Sequence, residues 1–176
     1  MTRIAVVGAG PEACRLARLA ALSGLTVRLH HPDPGALAQA QERIRADVEA
    51  QLAAGAIGPA DRQRALDGIL ATGDLDEAVT HADLVAEVDA PDEEARRAAL
   101  YRVGQACRAS AVVATGGSPD ALMDWLPQPG RLVGLRAGPA GLAIVAGVET
   151  SPEAREAAAR FARRLDGGLA PGPGGR

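Results

Sequence analysis

The first residues with a chemical signature are Gly8-Ala9-Gly10-Pro11-Glu12-Ala13, a G-x-G-x-x-A pattern that follows the apolar run Arg3-Ile-Ala-Val-Val7. Such a turn suits a dinucleotide for three physical reasons. The first glycine bends the chain, the second lets a pyrophosphate approach the backbone, and a small third residue lets helix and strand pack closely. The helix that follows offers unpaired N–H groups and the positive end of its dipole to the phosphates. Pro11 withdraws one N–H, at a position where a helix tolerates proline. The same turn can also serve the fold alone with no nucleotide held, and that alternative stays open.

A dinucleotide site calls for an acidic residue about twenty positions on, at the end of the second strand, to hold the adenosine ribose hydroxyls. Here that strand, Leu25-Thr-Val-Arg-Leu-His30, is followed by His31, and the nearest carboxylate is Asp33. An imidazole cannot chelate a ribose diol as a carboxylate can, although a protonated one could face a 2′-phosphate. Asp33 could substitute if its loop bends back, and the two histidines could equally be a solvated strand end. The fold favours NAD and this position favours NADP. Further on, Glu87 and Asp89 stand at the C-terminal end of a strand, in the crevice where open α/β sheets bind ligands. Cys14 and Cys107 have neither metal-ligand nor redox spacing, so no metal site is expected and both read as reduced, buried small hydrophobes.

These residues need a scaffold, and the apolar periodicity supplies one. Pro11 to Ser23 has helical spacing and ends at Gly24, so strand, helix and strand form a right-handed βαβ unit. Pro34 to Ala54 reads as a long helix broken by Gly55 and Gly58, and Pro59 to Asp67 as a second one, before a short strand at Ile69–Thr72. Alternation then resumes: Ala82–Glu87 strand, Asp92–Arg108 helix, Ala111–Thr115 strand, Pro119–Trp125 short helix, then strands at Arg131–Leu135 and Leu142–Gly147. The last helix runs from Ser151 to Leu165, with Ser151 as N-cap and Pro152 in first position. The sum is an α/β, doubly wound Rossmann-type domain over residues 1–168, with a mostly parallel sheet and a helical pair inserted between strands two and three. The Gly-Pro-rich segment 169–176 reads as a flexible tail.

Composition narrows the chemistry. The chain has 176 residues, 47% hydrophobic and 2% aromatic, with 19 basic against 22 acidic side chains and a net charge of -3. Every basic residue is Arg, and there is no Lys and no Asn. A lysine Schiff base is therefore excluded, as is an Asn amide holding a substrate carbonyl. Without a clustered basic stripe the chain lacks the footprint of a nucleic-acid binder. No apolar run approaches the roughly 18–20 residues of a membrane helix, and the start reads as structure with no signal peptide, so a cytoplasmic protein is expected.

With the helical insertion and the segments Gly73-Asp-Leu-Asp-Glu-Ala-Val79 and Ala82-Asp-Leu-Val-Ala-Glu87 in view, the chain resembles the NAD-binding domain of 3-hydroxyacyl-CoA dehydrogenases. The resemblance runs from about Arg3 to Gly168 and includes Gln41-Glu-Arg-Ile-Arg45 and Arg131-Leu-Val-Gly134. It implies a dinucleotide cofactor and an acyl thioester partner. In that family a histidine after the strand matching Arg131–Leu135 takes the proton of the substrate hydroxyl while hydride passes to NAD, and a glutamate on the next strand orients it. Here the first position falls on Arg136 and the second on about Ala146. A guanidinium stays protonated in a protein and cannot act as a base at neutral pH.

Other departures run the same way. Of the family's Asn-Thr-Ser-Ser stretch only the hydroxyl of Ser118 remains, in Gly116-Gly117-Ser118-Pro119. The nicotinamide-side glutamate falls on Pro91, and a cofactor-side lysine on Arg96. A serine and a lysine that contact coenzyme A fall on Asp47 and Ala54. The sequence stops where the family continues into an all-helical closing domain, as either an excised domain or a natural single-domain protein would. Without the closing domain, Leu135, Leu142 or Val145 would be exposed at the sheet edge, so a homodimer or hetero-complex through the C-terminal strands and last helix is expected. The reading that follows is a non-catalytic nucleotide- or acyl-binding or assembly module. One alternative is an active NAD(P)-dependent 3-hydroxyacyl thioester oxidoreductase, and another an enzyme of altered chemistry using Arg136, Ser118 and Glu87.

Overall fold

A computed structural model of the chain describes residues 3–138 and 141–166. The tail expected at 169–176 lies outside them. The elements, in order, are β1 (Arg3–Val7), α1 (Pro11–Leu22), β2 (Thr26–His30), α2 (Pro34–Ala53), α3 (Pro59–Asp67), β3 (Ile69–Thr72), α4 (Leu75–Val79) and β4 (Leu84–Glu87). There follow α5 (Glu93–Ala106), β5 (Val112–Thr115), α6 (Pro119–Leu122), β6 (Leu132–Gly138), β7 (Gly141–Ala146) and α7 (Pro152–Asp166). Short 3-10 turns at Met123–Trp125 and Pro129–Arg131 link α6 to β6.

The strands form one seven-stranded sheet in the order β3-β2-β1-β4-β5-β6-β7. All neighbours pair in parallel except β6 and β7, which run antiparallel. This is the doubly wound, mostly parallel sheet expected from the sequence, with the helical pair α2 and α3 inserted between β2 and β3. Alternate residues of each strand serve opposite faces. Ile4, Val6, Leu84, Ala86, Val112 and Ala114 pack under α1, α2 and α7. Ala5, Val85 and Val113 pack under α4 and α5, with Leu75, Leu100, Val103 and Leu122.

Two details differ from the sequence reading. The segment Leu75–Val79 is helical, started by Asp74, whose Oδ1 accepts from the Asp76 and Glu77 amides at 2.9 and 3.2 Å. A helix this short shows no readable periodicity. The second difference concerns the sheet edge, where Leu135 and Leu142 are only 5% and 8% exposed and Val145 is half-buried. Helix α7 covers Leu135 and Leu142, laying Ala154, Ala158, Phe161 and Leu165 on that face, whereas Val145 stands opposite Gly134 on the other face. For Leu135 and Leu142 the apolar cover assigned to a partner is therefore internal. Ser151 caps α7 as expected, its Oγ accepting from the Ala154 amide at 3.1 Å. No helix among the described residues is long and apolar enough to cross a membrane.

Phe161 is the sequence's single phenylalanine and is 2% exposed on the inner face of α7. Phe161→Ala should cost about 3–5 kcal/mol, read as a lowered urea midpoint by circular dichroism. A loss below 1 kcal/mol would mean that α7 does not seal this face.

Candidate functional site

The site lies where β1 and β4 end side by side. Val7 pairs with Glu87, and the winding reverses between these two strands, which is where doubly wound sheets open a crevice. Three backbone ends are tied together there: the Gly8 amide donates to His30 O at 2.9 Å and the Val88 amide to Val7 O at 3.0 Å. Gly8 has φ +140, and a Cβ on it would stand 2.2 Å from Val88 O, so no other residue fits.

On one side of the turn is a cleft of about 350 Å³ lined by His30, His31, Pro32, Leu75, Asp89 and Arg102, among others. His30 is 4% exposed and contacts Thr72 O through Nδ1 at 3.2 Å. A carbonyl only accepts, so Nδ1 carries the proton. Burial, above all, holds this ring's pKa below its ordinary value. The His31 Nδ1 accepts the Asp33 amide at 3.1 Å, which leaves Nε2–H as its donor. Asp33 does not bend back toward a ribose: its Oδ1 accepts the Gly35 amide at 2.8 Å as the N-cap of α2.

On the other side a cleft of about 450 Å³ is lined by Glu12, Val88, Asp89, Arg96, Gly116, Leu135 and Arg136. Arg136 is exposed on β6, opposite Ala143, while Ala146 stands opposite Val133. Among the described residues Arg136 has no ion-pair partner, and no carboxylate on β7 stands behind it. Ser118 is exposed at the start of α6, with no side-chain bond to the helix, and is not among the cleft's lining residues.

Glu87 has another environment. It is 1% exposed, beside Thr115 on β5; Oε2 accepts from the Thr115 hydroxyl at 2.7 Å and from Arg96 Nε at 3.2 Å. Oε1 has no hydrogen-bond partner. Arg96 passes over Gly117, where a Cβ would meet its Cδ at 3.0 Å. Arg96 and Glu87, each expected to face a ligand, are thus tied to each other. Burial raises the Glu87 pKa, against the lowering effects of the Thr115 hydroxyl, Arg96 and the Ala90 amide.

Between the clefts, where a pyrophosphate would approach the glycine turn, lies the side chain of Asp89. Its Oδ2 accepts the Ala13 amide at 2.7 Å, and a Cβ on Gly10 would stand 2.7 Å from its Cγ. It is the one described non-glycine residue with positive φ, at 65°. A carboxylate on a free N–H of the first helical turn contributes about 1 kcal/mol. The missing Cβ of Gly10 admits this side chain as it would admit a phosphate. The two clefts suit the two ends of a dinucleotide, and the seat between them is filled by the chain itself.

The structure therefore brings Gly8, Ala9, Gly10, Pro11, Glu12 and Ala13 together with Asp89, Arg96 and Arg136 around one crevice, with His31 at its far end. The place of Asp89 over the turn and the tie of Thr115 to Glu87 are not legible from spacing. Both cysteines are buried and free, and among the described residues no cluster of three or more His, Cys, Asp or Glu could hold a metal ion. The raised Glu87 pKa has a consequence for stability. The folded protein binds this proton more readily than the unfolded chain, so the contribution is complete below the ordinary glutamate value and is lost as pH rises through the raised one. Wild type should lose stability across that window relative to Glu87→Gln, measured as urea midpoints over a pH series. Parallel curves would refute the assignment.

A family model described as the 3-hydroxyacyl-CoA dehydrogenase NAD binding domain matches residues 3–168. Among solved structures, FadB2 of M. tuberculosis aligns with a TM-score of 0.90 at 24% identity, covering 95% of this chain and 61% of that one. The (S)-3-hydroxybutyryl-CoA dehydrogenase PaaH1 from Ralstonia eutropha aligns with a TM-score of 0.89 at 18% identity, over 94% and 61%. A diketoreductase gives 0.87 at 24% identity, over 94% and 62%. The chain spans about three fifths of the length of these proteins, and at such identities the likeness is one of fold. No curated protein matches the sequence. The match over 3–168 agrees with the doubly wound sheet, the inserted helical pair and the glycine turn: the chain belongs to the NAD-binding domain family of 3-hydroxyacyl-CoA dehydrogenases.

Proposed function

We propose that this chain is a dinucleotide-binding module that does not carry the proton transfer of its family. The observation that carries this reading is Arg136. By the resemblance it falls where the family carries its base, it lines the 450 Å³ cleft, and the residue opposite it is Ala143. A guanidinium cannot take a proton from a hydroxyl at neutral pH. Glu87 is no substitute, because its buried carboxyl is engaged with Thr115 and Arg96. A nicotinamide dinucleotide supplies hydride exchange when bound; the residues that would hold it are the Gly8–Ala13 turn, with His31 and Arg102 along the cleft at the second strand's end.

The same cleft supports a cofactor with a 2′-phosphate. The carboxylate nearest the ribose position, Asp33, is committed to the cap of α2, while His31 and Arg102 line the wall with N–H donors. NADPH should therefore bind more tightly than NADH, and His31→Ala and Arg102→Ala should narrow that difference. Acyl-thioester binding follows from the family and is tested alongside.

Calorimetric titration with NAD, NADH, NADP, NADPH and acetoacetyl-CoA, followed by an acetoacetyl-CoA reduction assay, tests the reading. The expected result is nucleotide binding with a reduction rate at least about 10²–10⁴-fold below that of an enzyme with its base in place. Turnover in the ordinary range of about 1–10³ per second would sink it.

A further inference from the structure

The glycine turn at the start of α1 is already engaged. The Asp89 carboxylate accepts the Ala13 amide at 2.7 Å, packs where a Cβ of Gly10 would be, 2.7 Å from its Cγ, and lines both clefts of the crevice. Pro11 offers no amide and Glu12 adds a second carboxylate to the same wall. Asp89 nonetheless remains exposed overall, on the connection between β4 and α5, so its side chain is free to rotate toward solvent. A phosphate group and this carboxylate want the same N–H donor and the same positive helix end, and two anions cannot share them.

We propose that Asp89 is the residue that sets the crevice's affinity for phosphate-bearing ligands, acting as an internal competitor for the seat over Gly10 and Ala13. A dinucleotide enters by displacing the carboxylate, which turns out of the seat and gives up the Ala13 amide. Until then the crevice is two separate clefts, each open to a smaller group that leaves the seat alone. The proposal rests on the dinucleotide reading for its ligand, and on the Asp89 contacts for its mechanism.

The test uses Asp89→Gly and Asp89→Asn, both compatible with the positive φ of this position. Gly removes the anion and its bulk, whereas Asn removes only the charge. Calorimetry with NADH, NADPH and inorganic pyrophosphate gives affinity, and the Ala13 amide resonance in a ¹⁵N–¹H spectrum reports the contact without any ligand. The expected results are an Ala13 amide that shifts in both variants, and a Kd for the better dinucleotide lowered about tenfold in Asp89→Gly and by less in Asp89→Asn. An Ala13 amide indifferent to both substitutions overturns the proposal. So does equal dinucleotide affinity in wild type and Asp89→Gly. If no dinucleotide binds any form but pyrophosphate binds Asp89→Gly more tightly than wild type, the competitor stands and the dinucleotide reading falls. If Asp89→Gly takes up neither, both fall.

Discussion

Two parallel strands, β1 and β4, finish at the same level, and their turns must share the space above them. The register that pairs Val7 with Glu87 brings Gly8 under Val88 O so closely that no side chain fits. From this one approach follow the direction of α1, the position of its free amides, and the place where the chain leaving β4 must cross the glycine turn. The crevice is a product of strand order; what it offers a ligand depends on the few residues that leave β4 before α5 begins.

Those residues divide by face. Glu87, the last residue of β4, points under α5 and is buried with Thr115 and Arg96; two positions on, Asp89 turns the other way with φ 65° and reaches α1. One carboxylate thus braces β4, β5 and α5, and the other braces β4 and α1. A buried ion pair is weak evidence for net stability but breaks badly when one partner is removed, which suits a position that holds strands together better than one that exchanges protons. Both carboxylates beside the glycine turn are thus held by contacts within the chain.

Much of the fold is legible in the sequence because its cues are local. The glycine turn after an apolar run, the breaks at Gly24 and Gly55, and the Ser-Pro start at Ser151 each act on neighbouring backbone, and every observed strand begins within two residues of its expected start. What escapes the sequence is decided between distant segments. The cover of Leu135 and Leu142 comes from α7 folding back over β6 and β7, and the Asp89–Ala13 contact joins residues separated by 76 positions. Of the site, the turn and Arg136 could be located from sequence, whereas the ties of Glu87 to Thr115 and of Arg96 to Glu87 could not, since periodicity says which face a residue serves and not whom it meets there.

The burial of both thiols has a practical side. Cys14 is 1% and Cys107 8% exposed, burial raises the Cys14 pKa further, and the sequence contains no lysine. Reagents that seek thiolates or side-chain amines find almost nothing to attack on this surface. A cysteine introduced at Pro91, exposed on the connection between β4 and α5, would be a solitary attachment point for a fluorophore or spin label, and would sit two residues from the carboxylate whose movement is worth watching.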